Sequence, residues 1–156
     1  MNPFQYGQNS NADLVYRFLF RGLIRYDVTK GIYQGDITNC DLSDISYIRC
    51  NMQDDAIWSD GTRIKSEDII ASIDAFKKNT TNEDVQAFLN TVKVTKNGES
   101  IEIRSTEKNP RMIDILTYPI IKTDVINAIG SGTVNPTNYI TSGPYILSES
   151  ILDKEY

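Results

Sequence analysis

Two cysteines and a scatter of carboxylates are the residues in this chain that could do chemistry, and there is no histidine. Histidine is the commonest general base and the commonest metal ligand in proteins. Without it the chain cannot form a Ser-His or Cys-His nucleophile pair, or a zinc site that needs imidazole. Two thiols alone do not close a structural zinc site either. The residue types therefore indicate no enzyme, no metal site and no cofactor.

Cys40 and Cys50 could form one disulfide or remain two buried thiols. Short apolar clusters within residues 32–52 predict two strands joined by a tight turn around residues 42–46. Pairing these strands about a centre near Ile45 places the two cysteines opposite each other. Directly opposed Cβ atoms are about 4.5–5.5 Å apart, whereas a disulfide usually needs about 3.5–4.5 Å. The pattern therefore permits the bond without requiring it.

The carboxylates around the single tryptophan have simpler explanations than catalysis. Asp54, Asp55 and Asp60 resemble an oxygen-rich cation loop, but their spacing is wrong for an EF-hand and no glutamate closes the loop. Asp60-Gly61 is typical of a turn, and no motif pairs two carboxylates as a glycosidase requires. Trp58 is expected to fill the core, with stacking on a ligand as the alternative.

Composition narrows the partners. The formal net charge is -5, with acidic and basic residues interspersed, so nothing resembles the basic footprint of a nucleic-acid-binding protein. No apolar run approaches the roughly 18–20 residues that a membrane span requires. The first residues show neither the basic start nor the apolar middle of a secretory signal. Either the protein stays inside the cell or its signal is not part of this sequence.

Helix and strand signals follow one another irregularly, which predicts an α+β domain with several packed helices and short sheets. A largely buried helix is expected to begin after residues 9–11 and to stop near Gly22. Ser66 is expected to cap an amphipathic helix that continues to about residue 79. Further helices are expected at residues 82–90 and 110–118, and a last apolar strand around Tyr145 and Ile146.

The clearest local signal is an Asn-Gly hairpin. Asn97-Gly98 is the preferred two-residue turn, because both turn positions must take positive φ. Alternation then places Val92 opposite Ile103 and Val94 opposite Ile101 on one face. That face is expected to be core, and the other face to meet water.

Three segments together resemble the family of extracytoplasmic solute-binding proteins that includes the oligopeptide-, dipeptide- and nickel-binding proteins. Residues 2–27 are similar to the family's opening Asp-Pro, helix and Leu-x-x-Gly-Leu, with Asn2 in place of the aspartate. Residues 56–76 resemble its Trp-x-Asp-Gly-Thr-x-x-Thr-x-x-Asp-Val-x-x-Ser signature, and residues 141–150 its Gly-Thr-Gly-Pro-Tyr-x-Leu. The matching residues of these two segments are Trp58, Asp60, Gly61, Thr62, Ser66, Asp68, Ser72, Gly143, Pro144 and Tyr145.

The resemblance implies part of the first lobe of a periplasmic-binding-protein-like fold, of type II and cluster C. Residues 1–35 and 138–156 would belong to the main lobe, and residues 36–137 to a small inserted subdomain. Family members are several times longer than 156 residues, so the chain is expected to be a fragment of that lobe.

The function that the resemblance implies is capture of oligopeptides for an ABC transporter. The protein would work outside the cytoplasm, in the periplasm or at the outer face of the cell membrane, and would deliver its ligand to a membrane permease. It would carry no membrane span of its own, although the full-length protein could have a lipid anchor. Peptides, metal chelates and oligosaccharides remain open as ligands, because members with this scaffold differ in what they bind. The alternative is a protein-interaction or signalling domain built on the same scaffold.

The resemblance also assigns roles to residues. It implies scaffold roles for the signature residues Trp58, Asp60, Gly61, Asp68, Gly143, Pro144 and Tyr145. The segment that corresponds to a stretch near the ligand backbone in the family consists of Tyr6, Gly7, Gln8 and Asn9. A solvated N-terminal loop is the alternative for these four residues.

Overall fold

A computed structural model describes residues 3–5, 10–130 and 139–147 as a mixed α+β arrangement, in agreement with the predicted fold class. A 3₁₀ turn at Pro3–Gln5 precedes the first helix. The helices are α1 Ser10–Leu19, α2 Ser66–Asn79, α3 Glu83–Thr91, α4 Arg111–Leu116 and α5 Thr123–Gly130. The strands are β1 Ile24–Asp27, β2 Ile32–Gly35, β3 Thr38–Asp41, β4 Tyr47–Met52, β5 Val92–Asn97 and β6 Ser100–Ser105.

The strands form two antiparallel sheets. β1 and β2 pair as a separate two-stranded sheet, and the other four strands form a sheet in the order β3-β4-β6-β5. One face of the larger sheet belongs to the core, with α2 against it. Its buried side chains are Ile48, Cys50, Val92, Ile101 and Ile103. The opposite face carries the polar side chains of Asn39, Arg49, Asn51, Ser100, Glu102 and Arg104.

Helix α2 has its predicted bounds, but its predicted cap is wrong by one residue. Its buried apolar residues are Ile69, Ile73, Ala75 and Phe76. Lys65, not Ser66, holds the cap position. The backbone N–H of Lys65 donates to the carboxylate of Asp68 over 3.0 Å. Asp68 is the third residue of the helix and satisfies the N–H of the cap residue, as the acidic residue of a capping box does.

Helix α1 is shorter and more exposed than predicted. It ends at Leu19, before Gly22 is reached. Tyr16 and Leu19 are buried, whereas Leu14 and Phe18 are 57% and 48% exposed. Only one stripe of the helix faces the core, so its apolar residues on two faces do not make it a largely buried helix.

The cysteine-bearing strands pair as predicted. Cys40 lies directly opposite Cys50 in the β3–β4 register, which centres the connection on Ile45. The two cysteines form a disulfide, and Cys50 is fully buried. The bond therefore joins the edge strand β3 to β4 on the core side of the sheet.

The β5–β6 hairpin forms, but its turn is one residue later than predicted. Asn97 pairs with Ser100, which leaves Gly98 and Glu99 as the two loop residues. Gly98 has φ +62°. Both turn types that close two-residue hairpins need positive φ at the first loop position. Glycine adopts it without strain, so Gly98 opens the loop and Asn97 stays in the strand.

The predicted register is consequently wrong by two residues. Val94 opposes Ile103, where Ile101 was expected, and Val92 opposes Ser105. A shift of two residues returns every side chain to the same face of the sheet. The apolar face therefore remains buried although its partners differ from the prediction.

The β1–β2 hairpin was not predicted, although its turn signal is present in the sequence. The Asp27 carboxylate accepts hydrogen bonds from the N–H groups of Thr29 and Lys30 over 3.0 and 3.1 Å. Gly31 then takes φ +68°. An aspartate that caps its own turn before a positive-φ glycine is a standard way to reverse a chain. The signal is hidden because each flanking strand has only four residues, and β2 begins with two adjacent apolar residues, Ile32 and Tyr33.

The structure differs from the prediction at two places near the end of the chain. Helix α5 was not predicted. No strand lies within residues 139–147 of the described chain, where one was expected around Tyr145 and Ile146. The N–H of Tyr145 instead donates to the carbonyl of Phe18 over 3.3 Å. The segment is held by the end of α1, and not by a neighbouring strand.

Candidate functional site

The predicted ligand-facing segment lies between two anchored elements. Phe4, in the 3₁₀ turn before it, is 2% exposed and meets the ring of Phe76 edge-on at 5.5 Å. Helix α1 begins directly after it at Ser10. The segment itself falls outside the described residues and consists of Tyr6, Gly7, Gln8 and Asn9.

Trp58 and Asp68 form the centre of a buried hydrogen-bonded cluster. Both are nearly inaccessible, at 2% and 6% exposure. The indole N–H of Trp58 donates to one carboxylate oxygen of Asp68 over 3.3 Å. The other oxygen accepts from the backbone N–H and the hydroxyl of Thr123, over 2.9 and 2.8 Å. Because Asp68 also accepts from Lys65, one carboxylate caps the first turns of both α2 and α5.

Two more signature residues hold the same segment. The fully buried hydroxyl of Ser72 lies 2.7 Å from the carbonyl of Asp68 and accepts from the N–H of Ile121 over 2.9 Å. Asp60 accepts a hydrogen bond from Lys122. We call these four residues, Trp58, Asp60, Asp68 and Ser72, the signature clamp, because three of them bond directly to residues 121–123 and the fourth is fixed by Asp68. The clamp joins the turn after Trp58 to the start of α5.

The exposed carboxylates of this region are arranged for ion pairing. Hydrogen bonds from Lys122 and from Thr62 lower the pKa of Asp60 from 3.8 to about 2. A hydrogen bond from Lys96 is the largest cause that lowers the pKa of Glu67 from 4.5 to about 2. Both groups are therefore ionised at neutral pH and hold no proton for general acid catalysis. The arrangement stabilises loops and provides no acid–base pair.

Gly143 occupies a position where a side chain would not fit. Its N–H donates to the carbonyl of Leu19 over 2.8 Å, and a Cβ built on it would overlap the carbonyl oxygen of Phe18. Two residues earlier in the chain, Thr141 forms two hydrogen bonds with Ser59. The N–H of Ser59 donates to the carbonyl of Thr141 over 2.7 Å, and the N–H of Thr141 donates to the hydroxyl of Ser59 over 3.0 Å. Residues 141–143 therefore link the end of α1 to the turn that follows Trp58.

Pro144 and Tyr145 follow Gly143 in the family's Gly-Pro-Tyr motif, and both are exposed. The ring of Tyr145 is 60% exposed and meets that of Phe18 edge-on at 5.5 Å. Tyr145 therefore extends the aromatic surface of α1, while Gly143 provides the close backbone approach beneath it.

A cleft of about 960 Å³ opens between the end of α1, the β1–β2 hairpin and residues 142–144. Arg21 crosses its floor, donating to the carboxylate of Asp36 over 2.7 Å and to the carbonyl of Asp55 over 3.3 Å. The rings of Tyr26 and Tyr33 meet at 5.1 Å along one wall. Sequence reasoning missed these residues because it missed the hairpin that positions them.

Among the predicted site residues that the structure describes, only Gly143 and Pro144 line this cleft. Trp58, Asp60 and Asp68 belong to the signature clamp. Within residues 3–5, 10–130 and 139–147, no cluster of three or more Cys, Asp or Glu residues is placed to hold a metal ion. In the same part of the chain, no helix is both long and apolar enough to cross a membrane.

Solved structures share this fold. The pheromone receptor PrgZ, whose peptide-binding mode has been described, superposes with a TM-score of 0.78 over 96% of this chain, at 22% identity. NikZ from Campylobacter jejuni, in complex with Ni(L-His), gives 0.73 over 93% at 24% identity. The murein tripeptide binding protein MppA from Escherichia coli gives 0.71 over 96% at 18% identity. The match covers 34%, 30% and 34% of those chains, so this chain spans about one third of their length.

A family model provides the sequence evidence, since no curated protein matches the chain. The model describes the middle part of the bacterial extracellular solute-binding proteins of family 5 and matches residues 43–155. The matched range contains the whole signature clamp and the Gly143–Tyr145 motif, and it covers more than half of the chain. The chain belongs to the bacterial extracellular solute-binding proteins, family 5.

Proposed function

We propose that this chain is part of the substrate-binding component of an ABC transporter and that the component captures oligopeptides outside the cytoplasm. Its family membership supports a binding role in extracellular solute uptake. Two similar structures, PrgZ and MppA, are described as binding peptides. The component would deliver its ligand to a membrane permease, in the periplasm or at the outer face of the membrane with a lipid anchor. It would not be an enzyme.

Metal chelates, sugars and other small molecules are further ligand classes among the similar structures, which include NikZ with Ni(L-His), a protein with bound mannohexaose and one with 4-hydroxybenzoate hydrazide. This chain contains no histidine. Imidazole is a preferred ligand for nickel in proteins. Residues of this chain would therefore contribute poorly to direct nickel coordination, and the argument extends only to this part of the protein.

The division of the chain is also a proposal. Residues 1–35 and 138–156 would belong to the main lobe, and residues 36–137 to a smaller subdomain. The continuous segment that forms the four-stranded sheet with α2 and α3 supports this division. Hydrogen bonds between Ser59 and Thr141, and between Arg21 and Asp36, join the two parts.

In the proposed mechanism the chain supplies one wall of a two-walled trap. Main-chain groups of the Tyr6–Asn9 segment would meet the peptide backbone, and a second lobe would enclose the other side. Burial on both sides excludes water and satisfies the polar groups of the peptide. A single wall lacks half of these contacts, while the entropic cost of association stays the same.

Calorimetry of this chain with a mixed library of di- to pentapeptides tests the one-wall proposal. We expect millimolar affinity or no measurable heat, because one wall supplies only half of the contacts. A dissociation constant of about 1 mM corresponds to a binding free energy near -4 kcal/mol. Micromolar binding by these 156 residues would place the complete site within them and contradict the proposal.

The full-length protein that contains this chain tests the function itself. We expect it to bind at least one oligopeptide with micromolar affinity or better, and Gln8→Ala to weaken that binding by roughly threefold to tenfold. Lys78→Ala, an exposed change near the end of α2, is the matched control and should leave affinity unchanged. A full-length protein that binds no peptide but binds a partner protein would favour the interaction or signalling alternative.

A further inference from the structure

The loop of the β5–β6 hairpin exposes the backbone amide of Gly98 to solvent. Gly98 is the first loop residue, with φ +62° and no atom within 4 Å of the position where a Cβ would lie. Among the hydrogen bonds of the described residues, none involves the N–H of Gly98. The side chain of the preceding Asn97 is exposed as well. Solvent base can therefore reach this nitrogen next to an asparagine side chain.

The neutral amide of Asn97 faces a carboxylate that is nearly buried. Its Nδ2 donates to one oxygen of Glu102 over 2.7 Å. Glu102 is 9% exposed, and Arg104 donates to its other oxygen over 3.0 Å. Arg49 lies opposite Glu102 on β4. An amide donates to this carboxylate, whereas a second carboxylate in the same place would repel it.

We propose that Asn97-Gly98 is a site of spontaneous deamidation, which acts as a slow, irreversible switch that weakens the β5–β6 hairpin. The backbone nitrogen of Gly98 loses its proton to solvent base and attacks Cγ of Asn97. The new C–N bond closes a five-membered succinimide, and the side-chain nitrogen leaves as ammonia after taking a proton from water. Water then opens the ring at either carbonyl to give aspartate or isoaspartate. The net change consumes one water and releases one ammonia, without oxidation or reduction.

The product conflicts with its surroundings in three ways. A carboxylate at position 97 faces Glu102, and like charges on adjacent strands destabilise a sheet. The hydrogen bond from Asn97 is also the largest cause that lowers the pKa of Glu102, and deamidation removes it. Each event adds one negative charge, so the formal net charge changes from -5 to -6. Isoaspartate further lengthens the backbone where position 97 pairs with Ser100.

Two asparagines on the same sheet face provide internal controls. Asn39 and Asn51 lie opposite each other on β3 and β4. Cys40 and Met52 follow them, so the nitrogen that would attack carries a side chain on its Cα and belongs to a strand residue. We therefore expect these two amides to persist while Asn97 reacts.

Peptide mapping by mass spectrometry tests the site. The folded protein is incubated at mildly alkaline pH and body temperature, and the peptides containing Asn39, Asn51 and Asn97 are quantified over time. We expect the mass change of amide to acid, with both aspartate and isoaspartate forms, to accumulate at Asn97 several-fold faster than at the other two. Gly98→Ala should slow it, because a side chain on residue 98 hinders the attack. Equal or slower conversion at Asn97 overturns the proposal.

Designed variants test the consequence separately. Asn97→Asp should lower the melting temperature, and Glu102→Gln in the same chain should restore most of the loss, because the repulsion is then gone. Asn97→Gln, which keeps a neutral amide, is the matched control. The switch is excluded if Asn97→Asp has the same melting temperature as the wild type, or if adding Glu102→Gln does not raise the melting temperature of Asn97→Asp. Either result excludes it even when deamidation itself is detected. If Asn97→Asp does not fold, hydrogen exchange on the partly deamidated wild type must show faster exchange in β5 and β6, or the switch is excluded.

Discussion

The two hairpins whose loops contain Gly31 and Gly98 differ in loop length and in burial. Gly31 and Gly98 have nearly the same φ, +68° and +62°. The β5–β6 hairpin belongs to a four-stranded sheet with one face in the core. The β1–β2 hairpin has no third strand and leaves Tyr26 51% and Ile32 52% exposed. A suitable turn therefore reverses the chain in both places, but burial of a face distinguishes a core element from a surface one.

The same contrast separates the signature clamp from the cleft beside the β1–β2 hairpin. Around Trp58 the buried polar groups of Asp68 and Ser72 are hydrogen-bonded within the protein. In the cleft, Arg21 and the tyrosine pair remain in contact with solvent. Substitutions of the buried clamp residues should consequently affect the whole fold, whereas those in the hairpin or at the exposed Asp60 should have smaller effects.

Trp58→Ala should have the largest effect on stability. It removes a side chain that is 2% exposed and takes away a hydrogen-bond donor of Asp68. Loss of a buried aromatic ring lowers the free energy of unfolding by about 3–5 kcal/mol. Tyr33→Ala is the matched control in the exposed hairpin, and we expect it to lower stability by less than about 1 kcal/mol.

Urea denaturation followed by circular dichroism measures both variants. Equal urea midpoints for the two variants would show that the clamp and the hairpin contribute equally to global stability, which would contradict the expected difference between them. A stable Trp58→Ala protein whose full-length form had lost only ligand affinity would place Trp58 in the ligand site.

Removal of the disulfide should have the second largest effect. Cys40 and Cys50 are separated by 10 residues, and closing so short a loop stabilises a protein by about 2–3 kcal/mol through the unfolded state. The double substitution Cys40→Ser with Cys50→Ser should lower the free energy of unfolding by that amount. Thiol titration of denatured, non-reduced protein should find no free thiol. Two titratable thiols in protein made under oxidising conditions would refute the bond.

Gly98→Val tests the β5–β6 turn. A β-branched residue resists positive φ, so the substitution should lower the free energy of unfolding by more than about 1 kcal/mol. Gly31→Val introduces the same strain in the other hairpin. There we expect a smaller shift of the global midpoint and faster hydrogen exchange confined to β1 and β2, because that hairpin can open alone. A midpoint unchanged by Gly98→Val would contradict the turn assignment.

The sequence predicts elements well where a local signal and burial agree. Helix α2 and the pairing of Cys40 with Cys50 both follow from apolar spacing on a buried face. The turn at Gly98 was placed one residue early, because the Asn-Gly preference does not say which of the two residues opens the loop. The β1–β2 hairpin was missed because its strands have only four residues each and the adjacent Ile32 and Tyr33 break the alternation in β2.

Long-range hydrogen bonds account for most of what the sequence could not predict about the site. The bonds from Thr123 to Asp68 join residues 55 positions apart. The family signature includes Asp68, but nothing in the apolar pattern identifies Thr123 as its partner. Arg21 and Asp36 likewise meet only because α1 ends where it does. The ligand-facing role of Tyr6–Asn9 stays a prediction.

The smallest expected effect concerns the acid stability of the clamp. The hydrogen bond from Lys122, followed by those from Thr62, lowers the pKa of Asp60 in the folded protein from 3.8 to about 2. A lowered folded pKa contributes stability that is fully present above the unfolded value and is lost as the pH falls toward the folded value. The contribution of Asp60 should therefore disappear between about pH 4 and pH 2.

Comparison of the wild type with Asp60→Asn over this range isolates that contribution. The variant keeps a side-chain oxygen for Thr62 but loses the charge that faces Lys122. Glu67 titrates in both proteins and cancels from the difference. We expect a small stability difference that is constant above about pH 4 and narrows as the pH approaches 2, since a partly exposed ion pair contributes little. Because the β1–β2 hairpin lies away from Lys122, its hydrogen exchange should not distinguish the two proteins at any pH. A stability difference independent of pH would mean that the hydrogen bonds of Thr62, and not the ion pair, determine what Asp60 contributes.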